Sequence, residues 1–140
     1  MHRSKKDRQK GAALVEFAVV LPLLVILLIG LMEFGLVLYN QNVITNASRE
    51  GARYGIVSRP TRRTYADIKD VVENYCGSRL ITFGSAVPDT ETLPMPTGGA
   101  FGEDLTVTVS FQYDFLVLPQ FFATMAGFTK LQAQTTMKYE

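Results

Sequence analysis

Cysteine and histidine are almost absent from this sequence, which contains one of each, Cys76 and His2, and no tryptophan. A single cysteine excludes an intramolecular disulfide and a metal site built on several thiolates. A single histidine near the N-terminus leaves no His-based catalytic triad and no zinc site within one chain. Cys76 is predicted to be a small apolar residue on a helix face. Asp67, Asp70 and Glu73 offer a cation site to an extracytoplasmic enzyme or, as we prefer, form a solvated acidic face. We therefore expect no cofactor, no bound metal and no enzymatic activity.

An excess of one charge is also missing from the chain as a whole, whose formal net charge is +1, but the charges are unevenly distributed. Residues 1–11 have a net charge of +4, and the remainder has a net charge of −3. A short basic tail before an apolar segment is a membrane-topology signal and does not indicate nucleic-acid binding. We expect no nucleic-acid partner, an unfolded basic leader over residues 1–11, and an N-terminus on the cytoplasmic side of the membrane.

Charged residues are nearly missing from the 28 residues between Ala12 and Tyr39, where only Glu16 and Glu33 interrupt an apolar run. A helix of this length spans about 42 Å, which exceeds the hydrocarbon core of a bilayer, about 30 Å. The run is too long for an ordinary secretory signal, and no convincing small-residue cleavage site follows it. It predicts a transmembrane helix over residues 12–39 and an extracytoplasmic domain over residues 40–140.

Proline is absent from residues 40–57, and the long helix is predicted to continue through this segment. Within it Ala47, Gly51 and Gly55 recur every four residues. Such a stripe of small residues allows another backbone to approach closely, which predicts a role in helix packing. The alternative is a helix that ends near Gly51.

Apolar residues at helical spacing predict a second, amphipathic helix over residues 65–76, with Thr64 as its N-cap and Gly77 just after its end. Its apolar stripe consists of Ile68, Val71, Val72, Tyr75 and Cys76. We expect this stripe to be part of the core.

Glycine and proline are frequent in residues 84–102 and predict a loop there, while Leu80–Phe83 before it suits a short edge strand. Strict alternation of apolar and polar residues then predicts strands over residues 105–115 and 129–139. The apolar residues 116–128 between them predict a short helix or a wide hairpin connection. Two strands with one apolar face each need a helix to cover that face. The predicted fold class is α+β: a long N-terminal helix, half transmembrane and half extracytoplasmic, packed on a small antiparallel β-sheet with one additional amphipathic helix.

The order of the N-terminal features resembles the processing site of type IV pilins and pseudopilins. A basic leader is followed by Gly11, then by Glu16 and Phe17 at the start of a transmembrane run. The additional motifs "MEFG" and "NASREGARYG" resemble the TadE-like pseudopilins of the tight-adherence (Tad) system, which assembles Flp pili. The resemblance covers Gly11 to Gly55, and the size of the extracytoplasmic part favours a minor pilin.

This resemblance implies cleavage by a prepilin peptidase between Gly11 and Ala12. It also implies that Glu16 pairs with the N-terminal amine of a neighbouring subunit. Such a pair offsets the cost of a carboxylate in apolar surroundings in only one axial register. The implied partners are the prepilin peptidase, the major Flp pilin, other pseudopilins and, indirectly, the Tad secretion platform and its motor ATPase.

Alternatives remain open at three positions of the apolar run. A carboxylate such as Glu16 can also snorkel to the cytoplasmic headgroups. Glu33 lies near the outer interface, where a solvated helix end is more common than a site. Pro22 removes one helical hydrogen bond and either kinks the helix or is tolerated, as is common in membranes. The alternative function is an uncleaved, single-pass membrane-anchored envelope scaffold or receptor, whose leader is only a topology signal.

Overall fold

The computed structural model describes residues 5–57, 63–81, 83, 89–93, 102–115 and 130–139, with only the backbone described for 5–10 and 89–93. These residues form α1 (Lys5–Ile56), α2 (Tyr65–Gly77), β1 (Asp89–Leu93), β2 (Asp104–Gln112) and β3 (Lys130–Lys138). The chain divides into two compact units, Met1–Gly35 and Leu36–Glu140. The elements confirm the predicted α+β fold class.

The first unit consists of the N-terminal part of α1. Every side chain over residues 11–28 is exposed, and most of them are apolar. Among the described residues, one helix is long and apolar enough to cross a membrane by length and composition. Pro22 lies inside α1, and the helix continues on both sides of it.

The basic leader differs from its prediction, because α1 already begins at Lys5. We expected residues 1–11 to be unfolded, and this expectation is wrong for residues 5–11. Lysine, arginine and glutamine are good helix formers, and extending an existing helix costs far less than nucleating one. The helix of the apolar run therefore extends backwards into the leader.

In the second unit one face of α1 is buried at every third or fourth residue, which is the spacing of a single helix face. The series is Val37, Asn40, Ile44, Ala47, Gly51 and Gly55. Helix α2 packs on this face and runs antiparallel to α1, since Gly51 faces Val72 and Gly55 faces Ile68.

Helix α2 begins with the predicted N-cap, Thr64. The Asp67 N–H donates to Thr64 Oγ1 at 3.3 Å, and the Thr64 N–H donates to Asp67 Oδ2 at 2.8 Å, which completes a capping box. The helix ends one residue later than predicted, at Gly77. Three residues of the predicted core stripe are fully buried: Ile68, Val72 and Cys76.

The three strands form an antiparallel sheet in the order β1–β2–β3. In the register of β2 with β3, Val107 is opposite Thr135 and Val109 is opposite Ala133. Helix α1 lies against this sheet, where Ser48 Oγ is 2.7 Å from Thr135 Oγ1. The long helix thus covers the apolar face that two strands cannot bury alone.

Two local predictions before β2 are wrong. The predicted loop over residues 84–102 contains β1, whose short backbone forms hydrogen bonds with the edge of β2. The prolines and glycines around these five residues predicted an irregular loop. Pairing with a neighbouring strand can nevertheless order such a short segment. The described residues of Leu80–Phe83 form no strand: Leu80 N–H bonds to the Cys76 carbonyl, and the backbone of Ile81 bonds to a side chain of α1. The predicted connection over residues 116–128 lies outside the described residues.

Candidate processing and anchoring site

The residues predicted for processing, Gly11, Ala12, Glu16 and Phe17, all lie in α1 of the first unit and are exposed. Helical spacing places Ala12 and Glu16 on the same face, one turn apart. A β-carbon built on Gly11 would have no heavy atom within 4 Å. Packing within the described part of the chain therefore does not require glycine at this position.

The carboxylate of Glu16 is surrounded by exposed apolar side chains. Leu14, Val15 and Phe17 are 61–68% exposed. Among the described side chains, none makes a hydrogen bond or ion pair with Glu16. A bilayer or a neighbouring helix that covered this surface would remove water from the carboxylate at a cost of about 3 kcal/mol. A cation supplied from outside the chain would offset that cost.

Glu33 is buried, although we expected it to lie at a solvated helix end. Its side chain is 2% exposed, whereas that of the preceding Met32 is 72% exposed. The expectation of a solvated end is therefore wrong for Glu33. The physical reason is its place on the helix: Glu33 lies four residues before Val37, on the face of α1 that is buried.

The stripe of small residues, Ala47, Gly51 and Gly55, lies on the buried face of α1 in the second unit. A β-carbon on Gly51 would lie 2.6 Å from Val72 Cγ2, and one on Gly55 would lie 2.8 Å from Ile68 Cδ1. The stripe predicted the close approach of another backbone. The close neighbours are instead side chains of α2 and β2 of the same chain. Helix α1 ends at Ile56, beyond Gly51.

Asn40 is a buried polar residue that the sequence patterns did not single out. Its Nδ2 donates to the Ile81 carbonyl at 2.8 Å, and its Oδ1 accepts from the Ile81 N–H at 3.0 Å. The Asn40 side chain thus satisfies both backbone hydrogen-bonding groups of Ile81, as a neighbouring strand would. The available signal was the helical spacing, since Asn40 lies between Val37 and Ile44 in the same series of buried positions.

The remaining reactive groups of the second unit have structural roles. Burial raises the pKa of the Cys76 thiol to about 11, and the charge of Glu73 adds to this effect. The thiol is therefore protonated and unreactive near neutral pH. Asp67 caps α2, and Glu73 lies 3.6 Å from Lys69 Nζ. Within the described part of the chain, no group of three His, Cys, Asp or Glu side chains could hold a metal ion.

A family model described as TadE-like protein matches residues 11–53. Over these residues the chain is similar to the TadE-like proteins. The match begins at Gly11 and includes Glu16, Ala47 and Gly51, whereas Gly55, α2 and the sheet lie outside it. No curated protein and no solved structure matches the chain.

This similarity supports a relation to the TadE-like proteins of the Tad pilus system. The apolar helix of the chain indicates a single-pass membrane anchor. The matched segment joins two kinds of surface on one helix: exposed apolar side chains around Glu16 and a buried face against α2 and β2. The first surface is available to lipid or to other subunits, and the second is occupied by the chain itself.

Proposed function

We propose that this chain is a TadE-like minor pilin, or pseudopilin, of the Tad system that takes part in the biogenesis or assembly of Flp pili. Its role is structural and not enzymatic. The observation that carries the proposal is the family match, which starts at Gly11 and includes an apolar helix whose side chains are exposed over residues 11–28. In this proposal α1 crosses the inner membrane once, with the N-terminus in the cytoplasm and the second unit on the extracytoplasmic side.

A prepilin peptidase cleaves this chain between Gly11 and Ala12. Glycine lowers helix stability by about 1 kcal/mol relative to alanine, which weakens α1 locally at the bond to be cut. The absence of a packing constraint at Gly11 supports this role. The basic leader holds the bond at the cytoplasmic surface.

Cleavage creates an ammonium group on Ala12, one helical turn from Glu16. In an assembly of parallel helices, the Glu16 carboxylate pairs with the N-terminal amine of a neighbouring pilin. The pair sets the axial register more than it adds affinity, because any other register leaves a carboxylate without a partner among apolar side chains. The partners are the major Flp pilin and other pseudopilins, with the secretion platform and its motor ATPase acting indirectly.

The test compares two glycines of α1 in cells that contain the Tad prepilin peptidase. Added β-carbons at Gly11 and Gly30 both have no heavy atom within 4 Å, so Gly30→Leu is a matched control for Gly11→Leu. We expect intact mass and N-terminal sequencing to show the native chain and Gly30→Leu beginning at Ala12. We expect Gly11→Leu to keep residues 1–11.

The opposite result is also clear. If the native chain isolated from such cells begins at Met1 or His2, the pilin proposal is wrong. The uncleaved membrane-anchored scaffold or receptor then remains. Equal cleavage of Gly11→Leu and Gly30→Leu would instead show that the cut does not depend on this glycine.

A further inference from the structure

In the second unit, α2 returns the chain to the end of the apolar run. The contacts of Gly55 with Ile68 and of Gly51 with Val72 make α2 antiparallel to α1. Beyond the end of α2, the two hydrogen bonds from Asn40 hold Ile81 next to α1. Asn40 immediately follows Tyr39, the last residue of the predicted transmembrane run. Residue 81 is therefore fixed at the height along α1 at which the apolar run ends.

Large apolar side chains are exposed at or close to this height, among them Tyr39 at 44%, Ile81 at 39% and, two residues after Ile81, Phe83 at 46%. We call these three residues the interfacial patch. With Phe17 as the first residue in the hydrocarbon, twenty helical residues fill about 30 Å, and Asn40 lies about 6 Å further along the helix, at the depth of the headgroups. Tyrosine is enriched at this depth, and large apolar side chains such as phenylalanine bury into the boundary between headgroups and acyl chains.

A cation lies close in sequence to the interfacial patch. Arg79 is exposed and lies two residues before Ile81. Its guanidinium carbon is 4.1 Å from the centroid of the Tyr75 ring, and its Nη1 donates to the Tyr75 carbonyl at 3.3 Å. Stacking fixes the plane of the guanidinium and leaves other N–H groups for a phosphate. Apolar rings beside an arginine suit a lipid surface, because it presents an apolar boundary under a layer of phosphates.

We propose that the interfacial patch inserts into the headgroup layer of the extracytoplasmic leaflet, where α1 leaves the membrane. It thereby holds the second unit against the bilayer. Asn40 is the positioning residue, since its side chain fixes Ile81 at this height. The proposal rests on the single-pass anchor proposed above. It adds a second, reversible membrane contact to that anchor.

The test measures the depth of labels in the full chain, reconstituted in vesicles of phosphatidylethanolamine and phosphatidylglycerol. A fluorophore is attached to Phe83→Cys or, separately, to Ile81→Cys, and nitroxide lipids labelled near the headgroup act as quenchers. Val57→Cys is the matched control because Val57 is 48% exposed but lies at the opposite end of the second unit, after α1. Leu27→Cys, with deep nitroxide lipids, reports the transmembrane helix itself. The chain without an added cysteine gives the background from the buried Cys76.

We expect headgroup nitroxides to quench the labels at residues 81 and 83 severalfold more than the label at residue 57. The label at residue 27 is quenched by deep nitroxides. If residue 27 is quenched while residue 81 or 83 behaves like residue 57, the interfacial patch is refuted and the anchor stands. If residue 27 is not quenched, the anchor fails and the patch proposal fails with it.

Discussion

Helix α1 runs through both units, but its two parts are constrained in different ways. In the first unit the side chains of residues 11–28 are exposed, so a change of side-chain shape meets no neighbour in the described chain. A β-carbon added at Gly30, in the first unit, would have open space around it. In the second unit the same helix is crowded, because a β-carbon added at Gly51 would lie 2.6 Å from Val72 Cγ2. Where a helix faces lipid or other subunits, its side chains need only be apolar. Where it faces its own core, they must also have the volume that the close-packed neighbours allow.

The largest effect is expected from adding volume on the two sides of this comparison. Gly51→Leu forces the side chain against Val72, whose β-branched side chain has little freedom in a helix. We expect a loss of about 3 kcal/mol in the free energy of unfolding, measured by urea titration of the full chain in detergent with circular dichroism. Gly30→Leu is expected to change it by less than about 1 kcal/mol. Equal losses in the two variants would contradict the comparison.

A smaller effect is expected from removing the side chain that joins α1 to the segment after α2. Asn40→Ala leaves the N–H and carbonyl of Ile81 without their partner and should cost about 2 kcal/mol. Asn46→Ala is the matched control, because Asn46 is an exposed asparagine of the same helix. The same urea titration should show no significant change for the control. An Asn40→Ala variant as stable as Asn46→Ala would show that the two hydrogen bonds contribute nothing.

The smallest effect concerns the start of α2, far from any membrane-facing residue. Thr64→Ala removes the N-cap and should cost about 1 kcal/mol, whereas Thr64→Ser keeps the hydroxyl and most of the stability. The hydrogen bonds from the Thr64 N–H and hydroxyl hold the pKa of Asp67 below its usual 3.8. A lowered pKa in the folded state stabilises the fold above pH 3.8, and this contribution is lost as the pH falls through the lowered value.

Unfolding midpoints between pH 7 and pH 2 provide the measurement for this prediction. The gap between the native chain and Thr64→Ala should narrow as the pH falls below 3.8, because Asp67 loses its charge in both proteins. A gap that is constant over this range would mean that the charge of Asp67 takes no part in the cap.

Patterns that depend on neighbours along the chain were predicted well. The long helix, the cap at Thr64 and the strands, now bounded at Asp104–Gln112 and Lys130–Lys138, all come from local spacing. Structural features that depend on a partner distant in sequence were not predicted. Strand β1 forms because β2 offers it hydrogen bonds. The described residues of Leu80–Phe83 form no strand, and the Asn40 side chain of α1 binds the backbone of Ile81.

The sequence by itself determined the apolar length of α1, the position of Gly11 and Glu16 within it, and the amphipathic periods of α2 and the strands, because each is written in consecutive residues. Only the tertiary structure decided that Glu33 is buried, that the small residues of α1 face α2 and β2, and that Asn40 holds Ile81. These three outcomes depend on which surfaces meet when residues distant in sequence come together, and burial and hydrogen bonding act at distances of a few ångströms, whatever the separation along the chain.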